Sequence, residues 1–401
     1  MVGSAPTLYG WGLHSRVYIN VGGGVARRRA YDSRVIWKVL FWASLGALVW
    51  TQLGYPLVAA LLARLRGRPV RKADFTPRVS VIVAAHNEES VIERRIENLL
   101  AQDYPVDRFE IVVASDASTD RTDTLVEAVA AREPRVRLLR CPRGGKVAAQ
   151  NLAVRQTDGE ILAFSDANAQ WQPDALRKLV SNFADPEVAY VCGGHFYEAA
   201  DGTNREGTYW RWEAWLRRNE SELGSITGGI GPIYAVRRGD YVDVDPRFGH
   251  DLALPYLMVQ HGRRAVFEPD AVAWEKPSRD LEDEYRRKVR MFEHCWLIVL
   301  RGKMLRRLGP TYLLEIVSHR HLRYASGLLH LVLLASSIAL VRAGLVYDIA
   351  LGAQLLLLLA AALGVGIARY YVLVTWATVV SLVRYLRFGV PAVWAKAEGT
   401  R

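Results

Sequence analysis

A chain of 401 residues, 51% hydrophobic and carrying a formal net charge of +11, exceeds one typical domain, and its near-zero mean hydropathy averages soluble and strongly apolar parts. The positive charge does not point to nucleic acid, because the basic residues gather beside apolar runs: Arg27–Arg29, Arg64 to Lys72, Arg286 to Arg290 and Arg301 to Arg307. No basic, aromatic-bearing motif accompanies them, and Cys141, Cys192 and Cys295 lack the spacing of a disulfide framework or a zinc site.

Residues 1–34, rich in Gly and Arg and too long for a cleaved signal peptide, read as a poorly ordered tail. Val35 to Leu62 is apolar apart from Lys38 and a few small polar groups, and it exceeds the roughly 20 residues that cross hydrocarbon. It predicts a retained transmembrane helix, which flanking positive residues on both sides leave unoriented. From about Pro77 to Arg279 strand and helix patterns alternate, which predicts an α/β domain over residues 77–279. Val79 to Ala85 is a β-branched run ending in His86-Asn87-Glu88-Glu89, where Asn87 is placed to cap a helix carrying Val91, Ile92, Ile96, Leu99 and Leu100 on one face. Three further strand–helix units follow: Phe109 to Ala114 with Asp120 to Arg132, Val136 to Leu139 with Lys146 to Gln156, and Ile161 to Phe164 with Pro173 to Phe183.

Val188 to Cys192 reads as a further strand. Glu206 to Leu223 mixes Tyr209, Trp210, Trp212 and Trp215 with Arg211, Arg217, Arg218 and glutamates, which fits an interfacial amphipathic helix or a core helix with a charged outer face. Residues 280–310 contain a second, strongly basic amphipathic segment, Leu281 to Leu308. A membrane block over residues 324–388 then offers about three spans: Tyr324 to Val341, Leu345 to Ile367, and Tyr370 to about Leu386.

The loops after the strands carry the chemistry. Asp116, just past a strand, and Glu88 in the first loop can accept hydrogen bonds from a base or ribose, whereas Asp120 reads as a turn and helix cap. Asp166-Ala167-Asn168 can direct two oxygens toward one divalent ion, Asp166 with a charge and Asn168 without, and oxygen donors suit magnesium or manganese with a diphosphate. Arg143-Gly144-Gly145-Lys146 opens a helix and can face an anion, without the spacing of an ATPase phosphate loop. Asp251 stands at the start of the helix Leu252 to Val259 as a candidate general base, with His250 as a rival, and the dipole-complementing reading of a helix N-terminal Asp stays open. Arg287 and Arg290 lie on one helix face, fit either to neutralise a departing diphosphate or to flank a membrane helix.

Together these residues resemble the membrane-bound family 2 glycosyltransferases, the group that includes bacterial synthases of the cellulose, hyaluronan and poly-N-acetylglucosamine type. The resemblance runs from about Pro77 to Arg290. Val-Ser-Val-Ile-Val-Ala-Ala-His-Asn-Glu-Glu looks like the family's opening strand and nucleotide loop, implying Ala85, His86 and Glu88 near the nucleotide. Ser-Asp-Ala-Ser-Thr-Asp implies Asp116 on the uracil side; Gly-Gly-Lys-Val-Ala-Ala-Gln-Asn implies Lys146 and Asn151 close to the donor; Ser-Asp-Ala-Asn resembles the metal motif. His250-Asp251 aligns with a two-residue acidic motif whose second member is the base, and Gly231 to Arg238 resembles the acceptor-side strand. The chain departs from the processive synthases where Met291, not tryptophan, follows Arg290, and where His250 replaces an acidic residue.

The resemblance implies a GT-A type (Rossmann-like) α/β domain with a mostly parallel sheet plus transmembrane helices, in the cell membrane with the domain facing the cytoplasm. It implies inverting transfer from a nucleotide diphosphate sugar, a UDP-sugar for choice, to a glycan or lipid-linked acceptor, with Mg2+ or Mn2+. Two rivals stay open: transfer to polyprenyl phosphate, and a transporter or scaffold with a degenerate nucleotide-binding domain. The expected partners are the nucleotide sugar, the acceptor and membrane lipids, with no nucleic acid.

Overall fold

The computed structural model describes residues 33–197, 205–277, 280–391 and 393. The expected tail up to residue 32, with Arg27–Arg29, lies outside the described residues, as does the expected domain boundary at Arg279. Helix α1 (Ser33–Val49), a π-helical turn (Trp50–Gly54) and α2 (Tyr55–Arg66) form the first long apolar element. The domain then alternates β1 (Val79–Ala85), α3 (Ile92–Leu100), β2 (Phe109–Asp116), α4 (Thr122–Ala130), β3 (Val136–Cys141), α5 (Lys146–Arg155) and β4 (Ile161–Asp166). It continues through β5 (Gln170–Trp171), α6 (Ala175–Ser181), β6 (Val188–Tyr197), α7 (Arg205–Leu223), β7 (Ile233–Arg237), α8 (His250–Gln260) and β8 (Arg264–Glu275).

The eight strands form one sheet in the order β3-β2-β1-β4-β7-β6-β8-β5. Neighbours in the β3-β2-β1-β4 half are parallel, as is the pair β6 and β8, whereas β7 runs antiparallel to β4 and β6, and β5 antiparallel to β8. The strands are buried almost throughout because both faces are covered. Alternate residues go to opposite sides: Ile82, Val112, Leu162 and Phe164 pack with α5 and α8, while Val81, Val83, Ile111 and Ala163 pack with α3, α4 and α6.

Beyond the sheet, α9 (Leu281–Arg301) is the amphipathic segment, and its buried Val289, Phe292, Trp296 and Ile298 join the first of these cores. There follow α10 (Pro310–Glu315), a second π-helical turn (Ile316–His321), α11 (Leu322–Tyr324), α12 (Ser326–Ala339), α13 (Leu345–Ala362) and α14 (Gly366–Phe388). Among the described residues three helices are long and apolar enough to cross a membrane: Arg34–Arg66, Leu345–Ala362 and Gly366–Phe388.

The expected span Tyr324 to Val341 is different. Its helix α12 has 14 residues and reaches span length only together with Pro310–Tyr324, from which it is bent by 64°. The cause is electrostatic: His319 and Arg320 are buried against α7 and the loop before β7, so the residues preceding Ala325 are drawn onto the domain. By contrast α13 has only 6% of its apolar window buried, with Leu355, Leu356 and Leu359 facing outward. The full chain is therefore expected to stay in the membrane pellet after sodium carbonate extraction, and recovery in the supernatant would contradict a bilayer-embedded block.

Candidate active site

In the parallel half of the sheet, Ala85 pairs with Ser115 and Ala84 with Asp166, so Ala85, Asp116 and Asp166 arrive at one carboxyl edge. The chain leaves β1 toward β2 and β3 and then returns to its other side as β4, which opens a crevice at that edge. Nδ1 of His86 lies 2.8 Å from the Asp116 carbonyl oxygen and carries the proton, since a carbonyl only accepts. Asn87 does not cap α3 as expected. It adopts φ 57°, a region Asn tolerates, and its Oδ1 accepts from Thr119 N at 2.7 Å, tying the loops after β1 and β2 together. The Glu88 carbonyl instead accepts from Val91 N and Ile92 N, both at 3.0 Å, and Asp120 caps its own turn through Thr122 N at 3.0 Å.

The Asp116 carboxylate is buried and faces the loop before α5. It accepts from Gly144 N at 2.7 Å and Gly145 N at 3.0 and 3.1 Å, and it forms an ion pair with Arg143. Gly145 turns with φ 88°, which a side chain would strain. The turn delivers Lys146 to an ion pair with Asp166 at the end of β4. Burial works to lower the Lys146 ammonium, but Asp166, Asp251 and Glu275 outweigh it, so its pKa lies above the ordinary lysine value. The bare Cα of Gly231 flanks this pair: an added Cβ would stand 3.5 Å from Lys146 Nζ and 3.6 Å from Asp166 Oδ2. Asp251 occupies the first turn of α8, and its carbonyl accepts from Gly229 N at 2.6 Å, which docks that helix start on the glycine loop.

His250 and Asn151 serve the frame. His250 is 3% exposed; its Nδ1 lies 2.9 Å from Tyr234 Oη and its Nε2 3.3 Å from both Asn151 Oδ1 and Tyr241 Oη. Burial, with Lys146 adding to it, pushes its pKa down to about 3. With both nitrogens engaged it is a wedge between α5, β7 and α8 rather than a rival base. Asn151, expected near the nucleotide, is likewise buried and committed: its Nδ2 donates to Val244 O at 2.8 Å and its Oδ1 accepts from Tyr241 Oη at 2.6 Å.

Helix α9 crosses the same edge. Arg287 donates to Glu284 at 2.9 and 3.0 Å and lies 5.5 Å from the Tyr197 ring centre at the end of β6. One face further along, His294 Nδ1 is 2.7 Å from Arg247 O in the loop before α8. Arg290, half-buried between them in sequence, has its pKa lowered by burial and by Arg287.

Other members of this edge escaped the sequence reading. His195 Nε2 lies 2.9 Å from Glu275 Oε2, a pair separated by 80 residues that no spacing rule reveals. Arg95 is fully buried over the Trp171 ring, 4.9 Å from its centre, and burial pushes its pKa down to about 9 against the pull of Asp166 and Glu275. Periodicity in the sequence picks out only the apolar face of α3 and passes over Arg95. The run Gly228-Gly229-Ile230-Gly231 did carry a signal, a glycine cluster just before a strand.

Oxygen donors at this edge would suit a divalent ion, although Asp166 is paired with Lys146 here. Asp166 and Asn168 offer oxygen, and no group of three His, Cys, Asp or Glu among the described residues could enclose an ion. The remaining ligands would come from phosphate and water, the usual arrangement for magnesium.

Residues 80–244 match the family described as glycosyl transferase family 2, and this segment is a domain of that family. The beta-monoglucosyldiacylglycerol synthase of Synechocystis is 30% identical over 228 residues, 52% of this chain and 47% of the relative. The N-acetylglucosaminyltransferase of Rhizobium meliloti is 27% identical over 290 residues, 65% of this chain and 67% of the relative. The chain thus spans less than half the length of the synthase. Among solved structures, the mannosyltransferase PcManGT of Pyrobaculum calidifontis, in complex with GDP-Man and Mn2+, superposes with a TM-score of 0.67 at 27% identity, covering 88% of this chain and 98% of its own. Coverage of that extent takes in helices outside the sheet domain.

A buried neutral histidine has a pH signature. With a folded-state pKa near 3 and an unfolded value near 6.5, His250 binds its proton only in the unfolded chain between those limits, so its contribution is complete above about pH 6.5 and declines as pH falls. Thermal midpoints should fall over that range, and His250→Gln should flatten the decline.

Proposed function

We propose that this chain is a membrane-anchored, inverting glycosyltransferase that moves a sugar from a nucleotide diphosphate sugar to a hydroxyl-bearing lipid or glycan acceptor. The observation that carries the reading is that one glycine loop meets Asp251 at Gly229 and the Lys146–Asp166 pair at Gly231, at the carboxyl edge. The crevice between β1 and β4 receives the nucleotide, with Ala85, His86, Glu88 and Asp116 around it. Asp116 acts there largely through the loop it holds.

Lys146 and the α9 arginines Arg287 and Arg290 supply positive charge for the departing diphosphate. Asp166 and Asn168 would hold a divalent ion, which when bound adds charge neutralisation at the same phosphates. Asp251 accepts the proton of the acceptor hydroxyl as its oxygen bonds to the anomeric carbon and the carbon–diphosphate bond breaks. Asp251 stands in the first turn of α8, where the helix dipole complements a negative charge. A membrane acceptor agrees with the apolar helices and with the name of the Synechocystis relative, and the domain would then face the cytoplasm, where nucleotide sugars are made.

Asp251→Asn is expected to keep donor binding and lower transfer by about 10²–10⁴-fold, the usual worth of a positioned base. Turnover of the variant at the native rate would instead mark an acceptor that is already an anion, such as polyprenyl phosphate. Asp166→Ala should remove the metal dependence of donor binding in calorimetric titrations with and without manganese; an unchanged titration would remove Asp166 from the metal role.

A further inference from the structure

Next to the glycine loop lies a cavity of about 50 Å³, lined among others by His195, Glu213, Arg217, Ile230 and Phe267. It is large enough for one or two small polar groups. Its position is defined by Ile230. The residue before, Gly229, holds the Asp251 carbonyl, and the residue after, Gly231, flanks Lys146 and Asp166. Through His195 it also touches the Glu275 pair. Its other wall is α7, whose Leu216 packs with Tyr55 and Ala59 of α2 and whose Trp215 is 40% exposed. The cavity therefore lies between the reacting edge and a helix that runs into the bilayer.

Its polar equipment is unusual. The Arg217 side chain is 8% exposed, with Nη2 3.1 Å from Glu213 Oε1, yet its buried Nε has no hydrogen-bond partner. A buried N–H without an acceptor is the group a ligand oxygen would satisfy. Glu213 beside it stays ionised: burial works against the charge, and Arg323, His319 and Arg217 outweigh it. A cation donor and a carboxylate acceptor in one small space match a hydroxyl, which accepts from the first and donates to the second. A phosphate would meet the Glu213 charge at close range. Phe196, Ile230, Phe267 and Pro269 supply apolar walls for the carbon that bears the hydroxyl.

We propose that this cavity receives the head group of a neutral, hydroxyl-bearing membrane lipid, with Arg217 Nε donating to one hydroxyl and the Glu213 carboxylate accepting from it. The proposal rests on the glycosyl-transfer reading for its role, since it places that lipid as the acceptor beside Asp251, but the binding itself is separable from transfer.

The test is native mass spectrometry of the full chain released from detergent, with dioleoylglycerol or dioleoylphosphatidate as the probe and no nucleotide sugar. Dioleoylglycerol should be preferred. Ala214→Leu, which fills the cavity from α7 without altering a charge, should weaken its binding by about tenfold or more, a difference of the size one lost polar contact produces. Arg217→Lys keeps a cation beside Glu213 and removes the Nε donor, and should weaken it by about fivefold. Calorimetric donor binding serves as the folding control and should be unchanged in both variants. Preference for the phosphatidate, equal lipid binding by both variants, or loss of donor binding together with lipid binding would each overturn the assignment. A wild-type chain that binds dioleoylglycerol yet transfers no sugar would overturn the transfer reading and leave the cavity's ligand class standing.

Discussion

The carboxylate of Glu220 is the constraint on which the rest of the structure depends. It has no solvent exposure, and a buried charge persists only when its partners replace water. Those partners come from separate segments: Tyr55 Oη of α2 at 2.6 Å, His319 Nδ1 of the second π-helical turn at 2.6 Å, and Thr227 of the loop before β7, with Oγ1 at 3.2 Å and N at 3.3 Å. Burial pushes the Glu220 carboxyl up, and His319, Arg320 and Tyr55 more than reverse it, holding its pKa below the usual carboxylate value. Breaking such a set by removing one partner costs about 3–5 kcal/mol, because the carboxylate left behind is uncompensated. These three segments and α7, which carries Glu220, are thus fixed relative to one another.

That fixation reaches the carboxyl edge of the sheet in very few residues. Arg320 Nε donates to Thr227 O at 3.2 Å, and a Cβ on Gly228 would stand 2.5 Å from Arg320 Nη2, so only glycine lets the loop pass beneath the guanidinium. Gly229 and Gly231 then meet Asp251 and the Lys146–Asp166 pair. On the membrane side, Trp50 Nε1 and Thr51 Oγ1 donate to the Ser318 hydroxyl and carbonyl, both at 2.9 Å, joining the two π-helical turns. Such turns often mark functional positions, and here each widens a helix where a polar contact leaves it. The first long apolar element is in this way tied, through Ser318 and Glu220, to the loop that carries Gly229 and Gly231.

Much of the site was legible because parallel α/β sheets place ligand loops at strand ends, and strand ends can be read from β-branched runs. The expectation for Asp116, Lys146, Asp166 and Asp251 is drawn this way, and the fold brings the strand-end carboxylates Asp116 and Asp166, with Lys146, to one edge. What misled was local chemistry with two equivalent uses. Asn87 can cap a helix or bridge two loops, and the left-handed turn selected the bridge. Asn151 and His250 have donor and acceptor atoms suited to a ligand, but they lie on faces that burial closed, where Val244, Tyr234 and Tyr241 take those atoms. The bend of 64° before the span expected over Tyr324 to Val341 was not legible, because hydropathy counts residues independently, whereas His319 answers to carboxylates about a hundred residues earlier in the chain.

The sequence by itself determined the alternation of strands and helices, the apolar segments long enough for a bilayer, and the residue types at the loop tips. These depend on periodicity, length and side-chain chemistry, which are local properties of the chain. Only the tertiary structure decided which carboxylates stay open to solvent and which are consumed by the frame. It alone paired His195 with Glu275, buried Arg95 over Trp171, and set Arg217, whose buried Nε has no hydrogen-bond partner, in the wall of a cavity. The physical reason is that a charge has no fixed role until its surroundings set the cost of removing it from water, and those surroundings are assembled from segments far apart in the chain.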